Sequence, residues 1–289
     1  MLIDERFRKC VAFIYADMTN QDTLKKERKP VATAFFVSMV IGNDEGALIY
    51  AVTARHVIEA SRPYGHLYFR VNTAGGQFQD FETDQDDWVA HHSTDVAVTH
   101  IVPRLRDFDL HPIDLDMLAT DKYILQNEVD IGDSVFFVGL FEKYAGIQRI
   151  QPIIRFGNIS LMPHEKIPVK LDPGSNAITL VHAYLVEARS WGGHSGSPAF
   201  IYYPVGRRPD FLEVGVEPPA LLGLVHGHYE IEKHVAFVGD IVGRGQVPIN
   251  AGMAIVVPAQ KIIDTLMQEE LVDERTQILD GLRRDKPIV

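Results

Sequence analysis

Residues 191–198 read Trp-Gly-Gly-His-Ser-Gly-Ser-Pro, so that Ser195 lies in a short segment rich in glycine. A nucleophilic serine needs an exposed hydroxyl, a tight backbone turn and nearby amide donors for the oxyanion that develops during acyl transfer. Glycines on both sides of Ser195 permit this, because they adopt backbone angles that side chains forbid and leave space for a substrate. Taken alone, the segment also fits an ordinary glycine–serine turn, so it predicts a nucleophile only in combination with other residues.

Two other segments contain a candidate base and a candidate acid. His56 ends the run Thr-Ala-Arg-His at residues 53–56, directly after the predicted strand 47–54. Asp95 begins the apolar run Asp-Val-Ala-Val at residues 95–98. An acid in this position usually lies in solvent, but a buried one can bind the second nitrogen of a histidine and fix its tautomer. The order His, Asp, Ser along the chain is that of the chymotrypsin triad.

Together these segments resemble the trypsin/chymotrypsin-like serine peptidases, and most closely their disulfide-free bacterial and stress-protease branch. Residues 53–56 are similar to the family's Thr-Ala-x-His, residues 95–98 to its Asp-Ile-Ala-Leu, and residues 193–198 to its Gly-Asp/Asn-Ser-Gly-Gly/Ser-Pro. The resemblance implies a triad in which the nucleophile, base and acid are Ser195, His56 and Asp95. It also implies an oxyanion hole made by the backbone N–H groups of Gly193 and Ser195.

The resemblance also implies a specificity pocket, which is formed in the family by residues just before the serine and by a later strand. One wall would contain Arg189 and Ser190, and the other His226 and His228. A cationic pocket with a hydroxyl group favours an acidic side chain through charge-assisted hydrogen bonds. We therefore expect cleavage after Glu or Asp, unless Arg189 points into solvent as most arginines do.

One position departs from the family pattern. His194 stands where relatives that are activated by cleavage have an aspartate, which receives the new N-terminal amine. We therefore expect no activation of that kind. How the loop that contains Gly193 is held in shape is left open by the sequence, and binding of a ligand is one possibility.

Short β-branched or aromatic runs, separated by Gly, Pro, Asn and Asp, dominate the chain up to residue 258 and predict an all-β protein. The resemblance specifies two six-stranded antiparallel β-barrels packed together, as in chymotrypsin. The predicted strands are 9–16, 31–40, 47–54, 66–72, 95–102, 134–140, 152–161, 177–187, 198–203, 219–226, 234–239 and 252–257.

After Pro258 the pattern becomes helical and predicts a C-terminal α-helix that ends near Gly281. Its apolar stripe would dock on the β core, although a surface for a partner protein is an alternative. We predict three parts: an N-terminal barrel over residues 1–120 with the base and the acid, a C-terminal barrel over 121–258 with the nucleophile and the pocket, and a helix with a tail over 259–289.

Composition and charge exclude several functions. The net charge of −11 argues against nucleic acids and anionic membranes as partners. The single cysteine, Cys10, cannot form an intramolecular disulfide and is expected to be a buried apolar residue, which favours a cytoplasmic location. No histidine pair has acids or cysteines at a metal-ligand spacing, and the acidic run 82–87 lacks the glycine and glutamate of a calcium loop. We expect no metal and no cofactor.

The sequence thus predicts a serine endopeptidase that acts on a protein or peptide substrate through an acyl-enzyme. The main alternative is a catalytically silent or partner-activated scaffold that binds peptides in the same cleft. Retention of all three triad residues favours the enzyme, because a binding module has no physical need for that combination.

Overall fold

The computed structural model describes residues 3–20, 23–42, 46–170, 177–188, 193–204, 218–237 and 243–284, with the backbone alone for 230–237, 243–250 and 282–284. The structure is mostly β, as the sequence predicts, and its strands form two large units joined by a short helical connection. The predicted domain division at residue 120 falls within this connection, and it stays a prediction.

The N-terminal unit is an eight-stranded sheet. Its strands are β1 (Val11–Thr19), β2 (Lys26–Ile41), β3 (Gly46–Thr53), β4 (Leu67–Asn72), β5 (Phe78–Thr83), β6 (Val89–Ala90), β7 (Ala97–Ile101) and β8 (Ile113–Asp114). Seven of them follow the order β5-β4-β1-β2-β3-β7-β6, and β8 pairs parallel with β2.

The strand pairing of this unit therefore does not fully confirm the predicted closed barrel of six antiparallel strands. Among the described residues, the two edge strands β5 and β6 form no ladder with each other. The physical reason is visible in β6, which has two residues only and follows the polar 3₁₀ turn Gln85–Asp87. So short a strand offers β5 too few backbone groups to pair with.

The C-terminal unit is the predicted six-stranded antiparallel barrel, closed in the order β10-β13-β16-β15-β14-β9. Its strands are β9 (Ser134–Gly139), β10 (Ile153–Leu161), β13 (Tyr184–Glu187), β14 (Pro198–Tyr202), β15 (Ala220–Phe237) and β16 (Gly243–Pro258). A separate two-stranded sheet contains β11 (Lys166–Val169) and β12 (Thr179–His182).

The two units share one apolar core. A single cluster of buried side chains contains residues from the N-terminal sheet, from the outer face of the barrel and from the C-terminal helices. Phe7 illustrates this contact, because its ring packs edge-on against Phe136 at 5.5 Å and Phe200 at 4.8 Å. Cys10 is buried as predicted, and its thiol donates a hydrogen bond to the carbonyl oxygen of Phe7 at 3.2 Å.

The helices are α1 (Arg6–Lys9), α2 (Arg55–Ser61), α3 (Asp121–Gln126), α4 (Gln260–Leu266) and α5 (Glu269–Arg284). No helix in the described part of the chain is long and apolar enough to cross a lipid bilayer. The predicted C-terminal helix is thus two helices, and it docks on the β core through the buried side chains of Ile262, Leu266 and Leu271.

The predicted helix end at Gly281 is wrong, because α5 continues to Arg284. Ile278 and Leu279, just before the glycine, pack against the shared core. Their burial outweighs the cost of one glycine in a helix, which is about 1 kcal/mol.

Candidate active site

The strand pairing of the N-terminal sheet brings the predicted base and acid together. Antiparallel pairing of β3 with β7 places Thr53, near the histidine, opposite Ala97, near the aspartate. His56 lies in the first turn of α2 and not at a strand end, because the chain turns into the helix directly after β3. Asp95 lies in the bend that precedes β7.

Asp95 binds His56 at two points. Its Oδ1 accepts the backbone N–H of His56 at 2.8 Å, and its Oδ2 lies 2.7 Å from the ring Nδ1. A first-turn amide has no partner within its own helix, so it is available for this contact. Both side chains are buried. Burial opposes ionisation of Asp95, but the neighbouring imidazoles outweigh it and hold the pKa of this carboxyl well below its usual range.

A second imidazole, that of His226, binds the same carboxylate. Its Nδ1 contacts Oδ2 of Asp95, and its Nε2 lies 3.0 Å from the carbonyl oxygen of Lys170. The pairing of β15 with β16 shifts register between Val225 and Gly227, so His226 lies at a β-bulge. Bulges next to functional sites re-aim side chains in this way.

Ser195 joins the same cluster through His226. Its Oγ donates a hydrogen bond to the carbonyl oxygen of His226 at 3.0 Å, and the residue is half-buried. Thr33, on β2, binds two backbone carbonyl groups of the loop that contains Ser195. Its backbone N–H donates a hydrogen bond to the carbonyl oxygen of Ser195 at 3.0 Å, and its Oγ1 donates one to the carbonyl oxygen of Gly193 at 2.9 Å.

The glycines around Ser195 are required by the backbone. Gly193 has a φ of +91° and Gly196 a φ of +79°, a region that side chains rarely adopt. A Cβ at Gly196 would also overlap the carbonyl oxygen of Thr33 and Oγ1 of Thr53. Within the described residues, the N–H groups of Gly193 and Ser195 donate to no acceptor. Their role as an oxyanion hole stays a prediction.

The loop is also fixed by its unusual residue, His194. This side chain is 2% exposed, and its Nε2 accepts a hydrogen bond from Nε of Arg155 at 3.2 Å. Its Nδ1 has no hydrogen-bond partner among the described residues. Burial, followed by the charges of Arg155 and His228, lowers the pKa of His194 to about 4. The imidazole is therefore neutral at pH 7, as its role of acceptor requires.

The predicted specificity pocket is described in part. Arg189 and Ser190 lie outside the described residues. His228 lies on β15 and is half-buried, whereas the ring of His226 is engaged with Asp95. The sequence reasoning thus missed the contact of His226 with the acid, and it missed Arg155 altogether. A bulge between paired strands and a contact between distant strands leave no local sequence signal.

The same cluster is also the candidate for a metal ion. One ligand atom from each of His56, Asp95 and His226 lies within 4.8 Å of the others. Two imidazoles and a carboxylate suit zinc. In this structure, however, both Nδ1 atoms are directed at the carboxylate, which is the arrangement of hydrogen-bonded histidines. The expectation of no metal stays a prediction.

No protein-family model matches the sequence, and no curated protein is similar to it at a significant level. Among solved structures, the chain is similar to Deg5, with a TM-score of 0.50 and 17% identity over 92% of each chain. The fold is trypsin-like. The chain is also similar to the Rv3671c protease from M. tuberculosis in its active form, with a TM-score of 0.48 and 17% identity over 90% of this chain and 80% of that one. For the inactive form the TM-score is 0.46 at 17% identity, over 90% of this chain and 88% of that one.

Proposed function

We propose that this protein is a serine endopeptidase in which Ser195, His56 and Asp95 form the catalytic triad. The proposal rests on the double contact of Asp95 with the backbone and the ring of the buried His56. The half-buried Ser195 is linked to this pair through the carbonyl oxygen of His226, whose ring contacts Asp95. A catalytic base needs its tautomer and its orientation fixed together, which this geometry supports.

The first half of the reaction forms an ester. The hydroxyl of Ser195 leaves the carbonyl oxygen of His226 and turns to Nε2 of His56, which takes its proton while Oγ attacks the peptide carbonyl carbon. The N–H groups of Gly193 and Ser195 stabilise the negative charge on the substrate oxygen. Asp95 stabilises the imidazolium. The C–N bond then breaks, the departing amine takes the proton from His56, and an acyl-enzyme remains.

The second half consumes one water molecule. His56 removes a proton from the water as its oxygen attacks the ester carbonyl, and the same two N–H groups stabilise the charge again. The bond to Oγ breaks, and the proton returns from His56 to Ser195. The products are a carboxylic acid and an amine.

We propose His226 as a positioning residue for Asp95. With both His56 and His226 bound to its carboxylate, Asp95 has fewer possible orientations than with His56 alone. The same residue, at the bulge of β15, accepts the hydrogen bond of Ser195 through its carbonyl oxygen. His226 would therefore couple the orientation of the acid to that of the nucleophile.

Specificity for acidic residues before the scissile bond is a second part of the proposal. It rests on the cationic character expected of Arg189 with Ser190 and His228. Peptides that differ at this residue alone, with Glu, Gln, Lys or Phe, test it. Faster turnover of the Glu peptide is expected, and equal turnover of all four would refute the preference.

The peptidase activity itself is tested with unfolded casein and a mixed peptide library. Purified protein should generate new N-termini, and the Ser195→Ala variant, with matched folding, should generate none. Binding of peptides without cleavage in the wild type would favour the scaffold instead. Cleavage that begins only when a cell extract is added, and that Ser195→Ala abolishes, would mean that a partner activates the enzyme.

The substrate is proposed to be a protein or peptide, with no role for nucleic acid or a membrane surface, and the location to be cytoplasmic. The net charge of −11 and the single, buried Cys10 support these proposals.

A further inference from the structure

A cavity of about 650 Å³ opens in the N-terminal unit, at the place where the sheet does not close. Residues of both edge strands line it, which shows that the sheet curls round until β5 and β6 face the same space. The helix α5 covers one side with Glu270, Leu271 and Glu274. The volume lies within the range of small-molecule sites, about 300–1,000 Å³. We propose that this cavity binds a small apolar molecule that carries one positively charged nitrogen.

Four phenylalanines line the cavity, beside aliphatic and polar residues. Phe36 and Phe69 meet edge-to-face, with 6.1 Å between ring centroids, and Phe81 and Phe108 do so at 5.0 Å. Phe81 and Phe108 are only half-buried, although each belongs to the packing around the core. An apolar ligand would remove this aromatic surface from water, and the ring faces attract a cation.

The rim of the cavity carries negative charge. Five carboxylates line it, and no lysine or arginine does. Those five are Glu82, Asp86, Asp87, Glu270 and Glu274. Three of them have a histidine or an arginine within ion-pair distance. Among the described residues, Asp87 and Glu270 have no such partner, so they are the groups that a bound cation would pair with.

The phenylalanines in the walls and the carboxylates at the rim together determine which class of ligand the cavity favours. An anion would be repelled, and a neutral molecule would gain from the walls alone. A bare metal ion would gain nothing from the aromatic side chains. An alkylammonium or arylammonium ion uses both features, because its chain fills the cavity while its nitrogen stays near the carboxylates. This site is separate from the triad, so the inference does not depend on peptidase activity.

Three ligands with the same ten-carbon chain test the selectivity: decylamine, which is a cation at neutral pH, decanol and decanoate. Binding to the purified protein is measured by isothermal titration calorimetry, below the concentration at which micelles form. Decylammonium should bind most tightly, about tenfold more tightly than decanol, as two partly screened ion pairs allow. Decanoate should bind most weakly. Equal affinities for decylammonium and decanoate would overturn the proposal.

Variants locate the site. Val89→Trp places a large ring in the cavity and should abolish binding of decylammonium and decanol. Should this variant fail to fold, Leu110→Trp replaces it at the same cavity. The double variant Asp87→Asn with Glu270→Gln should lower the affinity for decylammonium to that for decanol. Asp273→Asn is the matched control, an exposed acid of α5 that does not line the cavity. If Val89→Trp and Leu110→Trp both bound decylammonium as tightly as the wild type, the proposal that this cavity is the binding site would be wrong.

Discussion

Asp95 uses both carboxylate oxygens on His56, one on its backbone N–H at 2.8 Å and one near its ring Nδ1 at 2.7 Å. The backbone contact fixes the acid relative to the first turn of α2, and the ring contact fixes the imidazole relative to the acid. Rotation of either side chain would break a contact in a buried environment, where an unmade hydrogen bond costs about 1–3 kcal/mol. The proposed base is therefore held in one orientation before a substrate arrives.

Replacement of the acid by its amide tests this pair. In Asp95→Asn the side chain keeps its size, but its NH₂ group can favour the wrong tautomer of His56. By analogy with the trypsin triad, turnover should fall by about 10⁴-fold. Peptide hydrolysis is the measurement, with circular dichroism to confirm that the variant is folded. A loss of less than tenfold in a folded variant would mean that Asp95 has no catalytic role.

The second imidazole gives a prediction of its own. His226→Leu removes the contact with Asp95, and the loss of a hydrogen bond to a charged group predicts a fall in kcat of about 10- to 100-fold with little change in KM. His226→Asn can keep a donor near the carboxylate and should recover part of the loss. The control is His111→Asn, at an exposed histidine in a different segment of the chain. Equal loss in the Leu and Asn variants would indicate a packing role only.

His194 predicts how stability depends on pH. An unfolded histidine titrates near pH 6.5, whereas burial lowers the pKa of His194 to about 4. Between these values the unfolded chain binds a proton that the folded chain does not. The free energy of unfolding should therefore fall as the pH is lowered from 6.5 to 4, by up to about 3 kcal/mol, and the full contribution should be present above pH 6.5.

Urea unfolding at about pH 7 and about pH 5, for the wild type and His194→Gln, isolates this contribution. From about pH 7 to about pH 5, the free energy of unfolding of the wild type should fall by about 2 kcal/mol more than that of the variant. The other histidines are common to both proteins, so their contributions cancel in this comparison. Asp95 does not contribute in this window, since its lowered pKa confines its effect to pH values below about 4. An equal loss in both proteins would contradict the assignment of a buried, neutral His194.

Gly196 is predicted to be the least replaceable residue of the serine loop. In Gly196→Ala the alanine has an unfavourable positive φ, and its Cβ overlaps atoms of Thr33 and Thr53. The free energy of unfolding should therefore fall by about 3 kcal/mol or more. Gly76→Ala is the matched control, because its φ of +82° is similar but a Cβ there meets nothing within 4 Å. Its cost should be about 1–2 kcal/mol, the penalty of the backbone angle alone. Thermal unfolding compares them, and similar costs would rule out the clash.

Local patterns predicted much of the fold. Most predicted strands appear within a few residues of their expected bounds, because an apolar run between turn residues is a local signal. The strand Phe78–Thr83 was missed, since its polar residues interrupt the alternation. The predicted strand 177–187 is divided at Ala183, and 219–226 and 234–239 belong to one long strand. Which strands pair, and whether a sheet closes, depends on contacts between distant residues.

For the site, as for the fold, local features were predicted from the sequence and contacts between distant residues were not. The motifs around His56, Asp95 and Ser195 are local and were visible in the sequence. Two contacts were not: the ring of His226 on the triad acid, and the guanidinium of Arg155 on His194. Each joins side chains from different strands, and the first also needs a β-bulge, so neither has a spacing that a sequence pattern can detect.

The proposed function requires that Ser195 is an activated nucleophile. The most direct test is the intact mass of the protein after incubation with a fluorophosphonate, followed by mapping of the modified peptide. One adduct per chain is expected on Ser195. It should be absent from Ser195→Ala and should form much more slowly in Asp95→Asn. A folded wild-type protein that stays unmodified, in the presence and absence of cell extract, or an adduct on another residue, would contradict it.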